Sequence, residues 1–213
     1  MTIIVQPTAS ASVRDYDWLK TSIAKWLHRS DLTAIIPDFV MMAERRINGE
    51  LESNKQEAVF PVDLPMHAVS VPLPDDAGEI RALSLTGGGE LEYLAPAIFN
   101  AKQSQNSSGE PRVFTVIGRD LYVGPLPDAD YTLMLAYRQY VPALADSAGT
   151  NWLIEQHPDI YLAASMCEAV RYTKNVADLP MWNEKYAAAM TALNKSGSFT
   201  GSSMRVRSDA RIV

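Results

Sequence analysis

"RDLYVGPLPDADYTLMLAYRQYVPAL", residues 119–144, is the stretch that says most about the fold of this chain. Two strand-like runs, 120–123 and 131–140, flank the sequence Gly124-Pro125-Leu126-Pro127. Proline fixes a backbone angle and offers a sheet no hydrogen-bond donor. We therefore expect a stiff hairpin whose turn does not pair with neighbouring strands. An ordinary sheet packed on helices fits the same pattern and stays open as an alternative.

The surrounding region, from residue 58 to 141, shows further short strands joined by turns. "EIRALSLTGGGELEYL", residues 79–94, predicts two strands across a triple-glycine turn. "RVFTVIGRDLYVGP", residues 112–125, predicts two more across Gly118 and Arg119. A short helix is expected from Pro96 to about Gln103. The region is thus expected to be an antiparallel β insertion.

Helices are expected on both sides of this insertion, because apolar residues recur there every three or four positions. The first follows an N-cap at Asp15 or Asp17, and the second carries Pro37 in its first turn. The second helix presents one apolar stripe: Val40, Ala43, Ile47 and Leu51. Residues 157–175 are apolar on several sides, which predicts a central helix, and residues 177–195 predict a last one.

We predict an α+β fold that is mainly α: a helical bundle with an inserted antiparallel β region and an extended C-terminal tail. The expected core of the bundle contains Trp26, Ile47, Leu162, Cys167, Trp182 and Tyr186. The expected divisions are a flexible N-terminal arm 1–14, N-terminal helices 15–57, the β insertion 58–141, C-terminal helices 142–195 and the tail 196–213.

Charge and composition exclude several classes of protein. The chain of 213 residues carries a net charge of −6, so most of its surface repels nucleic acid, and a DNA-reading protein is not expected. The segment from Lys195 onward carries +3, which leaves −9 on the rest. No apolar stretch approaches a membrane span, no signal peptide is apparent, and the single cysteine forms no internal disulfide. We expect an intracellular product that does not enter a membrane.

No catalytic or cofactor motif is evident. Cys167 paired with His157 or His28 would make a small cysteine hydrolase, but a thiol in the middle of an apolar helix is usually an inert core residue. His28, His67 and His157 lack the spacing of zinc ligands. "TGGGE", residues 86–90, lacks the lysine of a phosphate-binding loop. We expect no cofactor and no enzymatic activity, with the cysteine hydrolase kept as the alternative function.

The order of motifs resembles the head-to-tail adaptor, or connector, proteins of short-tailed bacteriophages. The likeness lies in "IAKWLHRSDLTAIIPDFVMMAERRINGEL" (23–51), "GEPRVFTVIGRDLYVGPLPDADYTLMLAYRQYVPAL" (109–144), "TNWLIEQHPDIYLAASMCEAV" (150–170) and the Gly-Ser tail with its basic end. Each motif is weak alone, whereas their order and separations are fairly specific. "FPVDLP" (60–65) departs slightly from the family's pattern at the first strand.

This resemblance implies a structural protein of the virion at the head-tail junction, made in the host cytoplasm. It implies a dodecameric ring between the portal protein and a tail nozzle or tail tube protein. Such a ring lies close to genomic DNA without reading it, and DNA passes through it during packaging and ejection. In such a ring subunit, the stretch Gly124, Pro125, Leu126 and Pro127 would be a hairpin that projects toward a partner.

The C-terminal tail is the expected docking segment for the portal or a neighbouring subunit. Its Ser and Gly content predicts disorder in the free chain, and its side chains offer spaced apolar points and charges of one sign. A frayed chain end is the alternative. The residues expected to dock are Phe199, Met204, Arg205, Val206, Arg207, Arg211 and Ile212.

Overall fold

The computed structural model describes residues 14–103 and 108–197. Its α-helices are α1 (Tyr16–Leu27), α2 (Ile36–Glu50), α3 (Pro96–Gln103), α4 (Trp152–Gln156), α5 (Pro158–Tyr172) and α6 (Leu179–Gly197). Its strands are β1 (Glu57–Leu64), β2 (Ser70–Pro72), β3 (Ala77–Leu85), β4 (Glu92–Tyr93), β5 (Val113–Ile117), β6 (Asp120–Gly124) and β7 (Tyr131–Gln139). Short 3-10 turns lie at Asn54–Gln56 and Val176–Asp178. The fold is α+β, as predicted.

Helix α1 begins and ends where its sequence indicates. The Asp15 side chain accepts a hydrogen bond from the Trp18 amide at 2.7 Å, which confirms Asp15 as the N-cap. The helix stops at His28, whose φ of 51° turns the chain out of the helix. Leu19 and Ile23 are fully buried and fix α1 against the helical core.

The expected stripe of α2 is confirmed. Val40, Ala43 and Ile47 are buried along the helix, and Leu51, just beyond it, is buried as well. Pro37 occupies the first turn, where its missing amide costs nothing. The Leu51 amide donates to the Ile47 carbonyl at 2.8 Å, so the chain leaves α2 with its last turn still bonded.

Helix α5 is central, as predicted, and packs against α1, α2, α4 and α6. Four of the six expected core side chains are buried: Ile47, Cys167, Trp182 and Tyr186. The prediction was wrong for Leu162, which is only half-buried, because it lies at the margin of the core that surrounds α5.

The prediction was also wrong for Trp26, which is 53% exposed. Trp26 belongs to the last turn of α1, and its ring stands edge-on against Trp182 with centroids 5.2 Å apart. The buried member of this pair is Trp182, so Trp26 covers the end of the core from outside.

The strands form two separate sheets. One has the order β1-β7-β3 with antiparallel neighbours, and the other has the order β2-β6-β5-β4. The pairing of β4 with β5 is parallel, so the expectation of a purely antiparallel region was wrong. A single apolar cluster, with Leu64, Leu83, Leu121 and Leu133 among its buried residues, holds the two sheets together.

The triple-glycine turn does not join two strands of one sheet. The turn itself closes, since the Leu85 amide donates to the Gly89 carbonyl at 3.1 Å and the Leu91 amide donates to Leu83 at 2.7 Å. Beyond Leu91 the chain crosses to the other sheet, where β4 lies beside β5. The predicted β3–β4 hairpin is therefore reduced to one bridge, between Ser84 and Glu90.

The predicted hairpin of β6 and β7 is absent as well. Both edges of β6 are occupied, by β2 and β5, and both edges of β7 are occupied, by β1 and β3. The stretch between them passes from one sheet to the other, with a cis peptide bond between Gly124 and Pro125. Gly124 and Pro127 are buried, while Pro125 and Leu126 are half-buried, so these residues do not form a projecting hairpin.

The helices and the sheets each have their own apolar core. Between residues 14 and 103 and between 108 and 197, no helix is long and apolar enough to cross a membrane. The division of the chain into domains, including the arm and the tail, stays a prediction.

Candidate interaction surfaces

Cys167 lies in a setting that suits a structural thiol. Its side chain is fully buried, and Sγ lies 3.4 Å from Oδ1 of Asn183. Burial raises the pKa of the Cys167 thiol, although the nearby Arg46 guanidinium opposes this shift. A nucleophilic cysteine needs a lowered pKa and access for its substrate. Cys167 has neither, so the geometry does not favour a cysteine hydrolase.

Arg46 supplies a hydrogen-bond donor for the Asn183 side chain, which lies beside the Cys167 thiol. Its guanidinium donates to Asn183 at 3.2 Å and to Glu50 at 3.1 Å, and it lies 4.1 Å from the centre of the Tyr186 ring. These contacts join α2 to α6 at the edge of the helical core. Burial, followed by the negative charge of the nearby Glu50, raises the pKa of the Tyr186 hydroxyl. The role of this cluster is structural, because its contacts hold α2 and α6 together.

The backbone places the three histidines at separate turns and helix ends. His28 and His67 both have positive φ angles, 51° and 62°, at turns. His157 stands between α4 and α5, ending one helix and preceding Pro158 of the next. Among the residues that the structure describes, no group of three His, Cys, Asp or Glu side chains could hold a metal ion.

The seam between α2 and the end of β7 contains a cavity of about 490 Å³. Glu44 lines it and accepts a hydrogen bond from the Leu144 amide at 2.8 Å. Burial raises the pKa of the Glu44 carboxyl. Arg138 also lines the cavity and donates to the Leu51 carbonyl at 3.4 Å. These polar groups satisfy the backbone where the helices meet the sheet.

A second cavity, of about 480 Å³, lies between the two sheets. Its lining is largely apolar and includes Ile80, Tyr93 and Phe114, with the Tyr93 and Phe114 rings 5.5 Å apart. The two cations on its border are engaged within the fold. Arg81 pairs with Glu79, and Arg119 donates to the Pro74 carbonyl. This arrangement leaves little free charge to select a ligand.

A groove of about 440 Å³ lies where the last turns of α1 and α5 meet the start of α6. We call this the helix-end groove. Its apolar lining consists of Trp26, Leu27, Met166, Val170, Met181 and Trp182. Next to it, Tyr172 and Val176 are exposed. Exposed aromatic, methionine and branched side chains around a groove are typical of a protein-binding surface.

The three-stranded sheet has a second apolar surface on the side away from its core. Side chains alternate between the two faces of a strand, and in register Val59 faces Ala136 and Pro61 faces Met134. Ala82, on β3, faces the same Ala136. The five residues Val59, Pro61, Ala82, Met134 and Ala136 define what we call the outer sheet face. All five are exposed or half-exposed.

The sequence-predicted site residues are not brought together in the described structure. Gly124–Pro127 lies in the connection between the two sheets, and the docking residues from Phe199 to Ile212 lie outside the described residues. The outer sheet face was not predicted from the sequence. The signal was present in β7, where Met134 and Ala136 alternate with the buried Leu133, Leu135 and Tyr137, so both faces of the strand are apolar.

Comparison of the chain with protein families gives a match. The family model described as SU10 adaptor protein matches residues 14–208 of the chain. Among curated proteins, none matches the chain. The matched range includes 23–51, 109–144 and 150–170, which carry the resemblance noted in the sequence, and it continues into the basic tail.

Proposed function

The chain belongs to the SU10 adaptor protein family, and on that premise we propose that it is the head-to-tail adaptor of a short-tailed bacteriophage. Membership indicates a structural component of the virion rather than an enzyme. In our proposal the protein forms a ring between the portal and the tail. The observation that carries the proposal is the family match over residues 14–208. Two apolar surfaces that the fold leaves open, the helix-end groove and the outer sheet face, support a role in assembly.

The proposed ring contains twelve copies and stacks on a dodecameric portal. The free subunit stays monomeric until it meets this template. Light scattering of the protein with and without the portal of its phage tests this arrangement. A rise in complex mass equal to twelve copies is expected on mixing. A stable dimer that ignores the portal would contradict the proposal.

The tail protein that follows in the virion, a nozzle or a tube protein, is the second proposed partner. The segment from Ser196 onward docks on the portal or on a neighbouring subunit, through apolar side chains such as Phe199 and Ile212 and through its three arginines. Ordering such a segment costs conformational entropy, so its binding depends on both kinds of contact. Its ionic part weakens as salt screens the arginines.

The ring would also line the passage for DNA. The body of the chain, without the segment from Lys195 onward, carries −9. An acidic wall lets duplex DNA slide without adhering, whereas a lysine-rich wall would bind phosphates in a salt-dependent way. The isolated protein is therefore expected to show no tight binding to duplex DNA at physiological salt in a filter-binding or anisotropy measurement.

A further inference from the structure

The helix-end groove has the chemistry of a binding hot spot. Trp26 is 53% exposed and Val176 is 65% exposed, although both belong to ordered turns beside the core. Nζ of Lys185 lies 5.6 Å from the Trp26 ring and 4.7 Å from the Trp182 ring, which places a cation on the border of the aromatic pair. Tryptophan is enriched among the residues that contribute most to binding at the centres of protein interfaces.

The charge beside this groove is mainly positive. Lys174 lies between two lining residues, and Lys185 lies on the aromatic pair. In the described ranges, neither lysine has a carboxylate within ion-pair distance. The carboxylate that does line the groove, Asp178, already accepts a hydrogen bond from Asn175. A partner with free carboxylates around an apolar centre would therefore match this surface.

The outer sheet face has that complementary chemistry. Val59 is 64% exposed, and Pro61, two residues along the same side of β1, is exposed as well. Glu57 and Asp63 continue the same alternation at the two ends of the strand, so they border this apolar face. Over the described residues, neither carboxylate forms an ion pair.

The groove lies at the start of α6, whereas the end of α6 approaches the segment that leads into β1. Trp182 and Lys185 belong to the first two turns of this helix. Near its other end, Asn194 bonds the backbone of Glu50 and Glu52, shortly before β1 begins. A helix of 19 residues is about 28 Å long. Two complementary surfaces at different places on one subunit lead to head-to-tail contacts between copies, and such contacts form a ring when the rotation from copy to copy closes.

We propose that the outer sheet face of one copy packs into the helix-end groove of the next copy. Val59 and Pro61 contact the aromatic and methionine lining, and Glu57 and Asp63 face Lys174 and Lys185. The occupant of each surface is thus a second copy of this chain. This inference rests on the proposed ring and names the subunit contact that builds it.

Engineered cysteines test the contact directly, because Cys167 is the only native cysteine and is buried. Val59→Cys and Val176→Cys both replace strongly exposed side chains, so circular dichroism should show intact folding. With the portal present as the assembly template, mild oxidation of a mixture of the two single variants should give a mixed disulfide dimer. The double variant should give a ladder of longer oligomers.

The control pairs Val59→Cys with Ile117→Cys, a residue that is also exposed but belongs to β5 of the other sheet. This pair should cross-link at least tenfold more slowly. Equal rates for the Val176 and Ile117 pairs, or no ladder from the double variant, would overturn the proposed contact. If the cross-link is absent while rings still form on the portal, the proposed function survives and this contact is wrong.

Charge reversal gives an independent readout of the same contact. Lys174→Glu with Lys185→Glu makes the groove acidic, and Glu57→Lys with Asp63→Lys makes the sheet face basic. Each double variant alone should assemble on the portal at least tenfold more weakly in sedimentation. An equal mixture should recover association, because each groove then finds an oppositely charged face. No recovery in the mixture would contradict the proposed pairing.

Discussion

Asn48 and Val141 are joined by two reciprocal hydrogen bonds. The Asn48 side chain donates to the Val141 carbonyl at 3.1 Å, and the Val141 amide donates back to the Asn48 side chain at 2.8 Å. Asn48 lies on α2, and Val141 lies just after β7. The Asn48 side chain thus satisfies both backbone groups of Val141, as a neighbouring strand would, at the point where the chain leaves the sheet for the helices. This pair of bonds holds α2 against the end of β7.

Asn48→Ala is expected to destabilise the protein, because it leaves both Val141 backbone groups without their partner. The expected loss in the free energy of unfolding is about 1–3 kcal/mol. Gly49→Ala is the matched control in the next position of the helix, where an added Cβ would meet no atom within 4 Å. This change should stabilise by about 0.4–1 kcal/mol. Chemical denaturation measures both, and equal effects of the two changes would contradict this role for Asn48.

Replacements in α5 should distinguish the centre of the helical core from its margin. Ile160 is fully buried, so Ile160→Ala should cost about 2–5 kcal/mol. Leu162 is half-buried, and Leu162→Ala should cost less than about 2 kcal/mol because less apolar surface and less cavity are involved. Urea denaturation of both variants provides the comparison. A greater loss for Leu162→Ala would show that the core lies on the other side of α5.

Stability should fall at alkaline pH through the buried tyrosines. Burial, with the hydrogen bond to Asp76, raises the pKa of Tyr137 from its ordinary value of 10.0 to about 12. The folded state therefore favours the neutral hydroxyl. Its contribution to stability is complete below pH 10 and is lost as the pH rises toward 12.

Absorbance at 295 nm and denaturation midpoints between pH 8 and about 12 measure this effect. Tyr137→Phe should weaken the pH dependence without abolishing it, because burial also raises the pKa of Tyr161 and Tyr186. Tyr140→Phe, at an exposed ring, serves as the control. An unchanged pH profile for Tyr137→Phe would exclude Tyr137 as one of the groups responsible.

Thiol labelling should find Cys167 protected. In the native protein its reaction with a thiol reagent should be slow and limited by unfolding, since the side chain is buried and its thiol pKa is raised. In denaturant the same thiol should react at the rate of a free cysteine. Rapid labelling of the native protein would revive the cysteine hydrolase as an interpretation.

Deletion of residues 198–213 should separate folding from docking. Helix α6 ends at Gly197, so the deletion removes none of the described helices and strands. The melting transition is expected to stay nearly unchanged, while attachment to the portal is abolished or greatly weakened. A matched variant, Arg205, Arg207 and Arg211 all →Ala, should lose mainly the salt-sensitive part of the affinity. A truncated protein that binds the portal with wild-type affinity would contradict the docking role.

Local patterns were enough to predict the main helices and several strands. The Asp15 cap and the Val40 to Leu51 stripe depend on residues a few positions apart, and these were right. One strand pairing was right as well, the antiparallel hairpin of β5 and β6 across Gly118 and Arg119. The pairings of β3 with β4 and of β6 with β7 were beyond such patterns. Alternation in β6 and β7 defines their faces, but it does not show that each edge is already occupied by another strand. The predicted hairpin was wrong for that reason.

The interaction surfaces were harder to predict for a related reason. Helical spacing puts Trp26 on the core side of α1, yet α6 supplies Trp182 to the core and leaves Trp26 outside it. The outer sheet face combines residues from β1, β3 and β7, which are brought together only by the strand register. Such surfaces depend on contacts between distant parts of the chain.

Electron microscopy of the purified protein mixed with the portal of its phage tests the central claim most directly. We predict a ring of twelve copies stacked on the tail-facing side of the portal, with the helix-end groove of each copy against the outer sheet face of its neighbour. Portal particles without added density, at protein concentrations far above those of the portal, would contradict the assignment of this chain as a ring-forming head-to-tail adaptor.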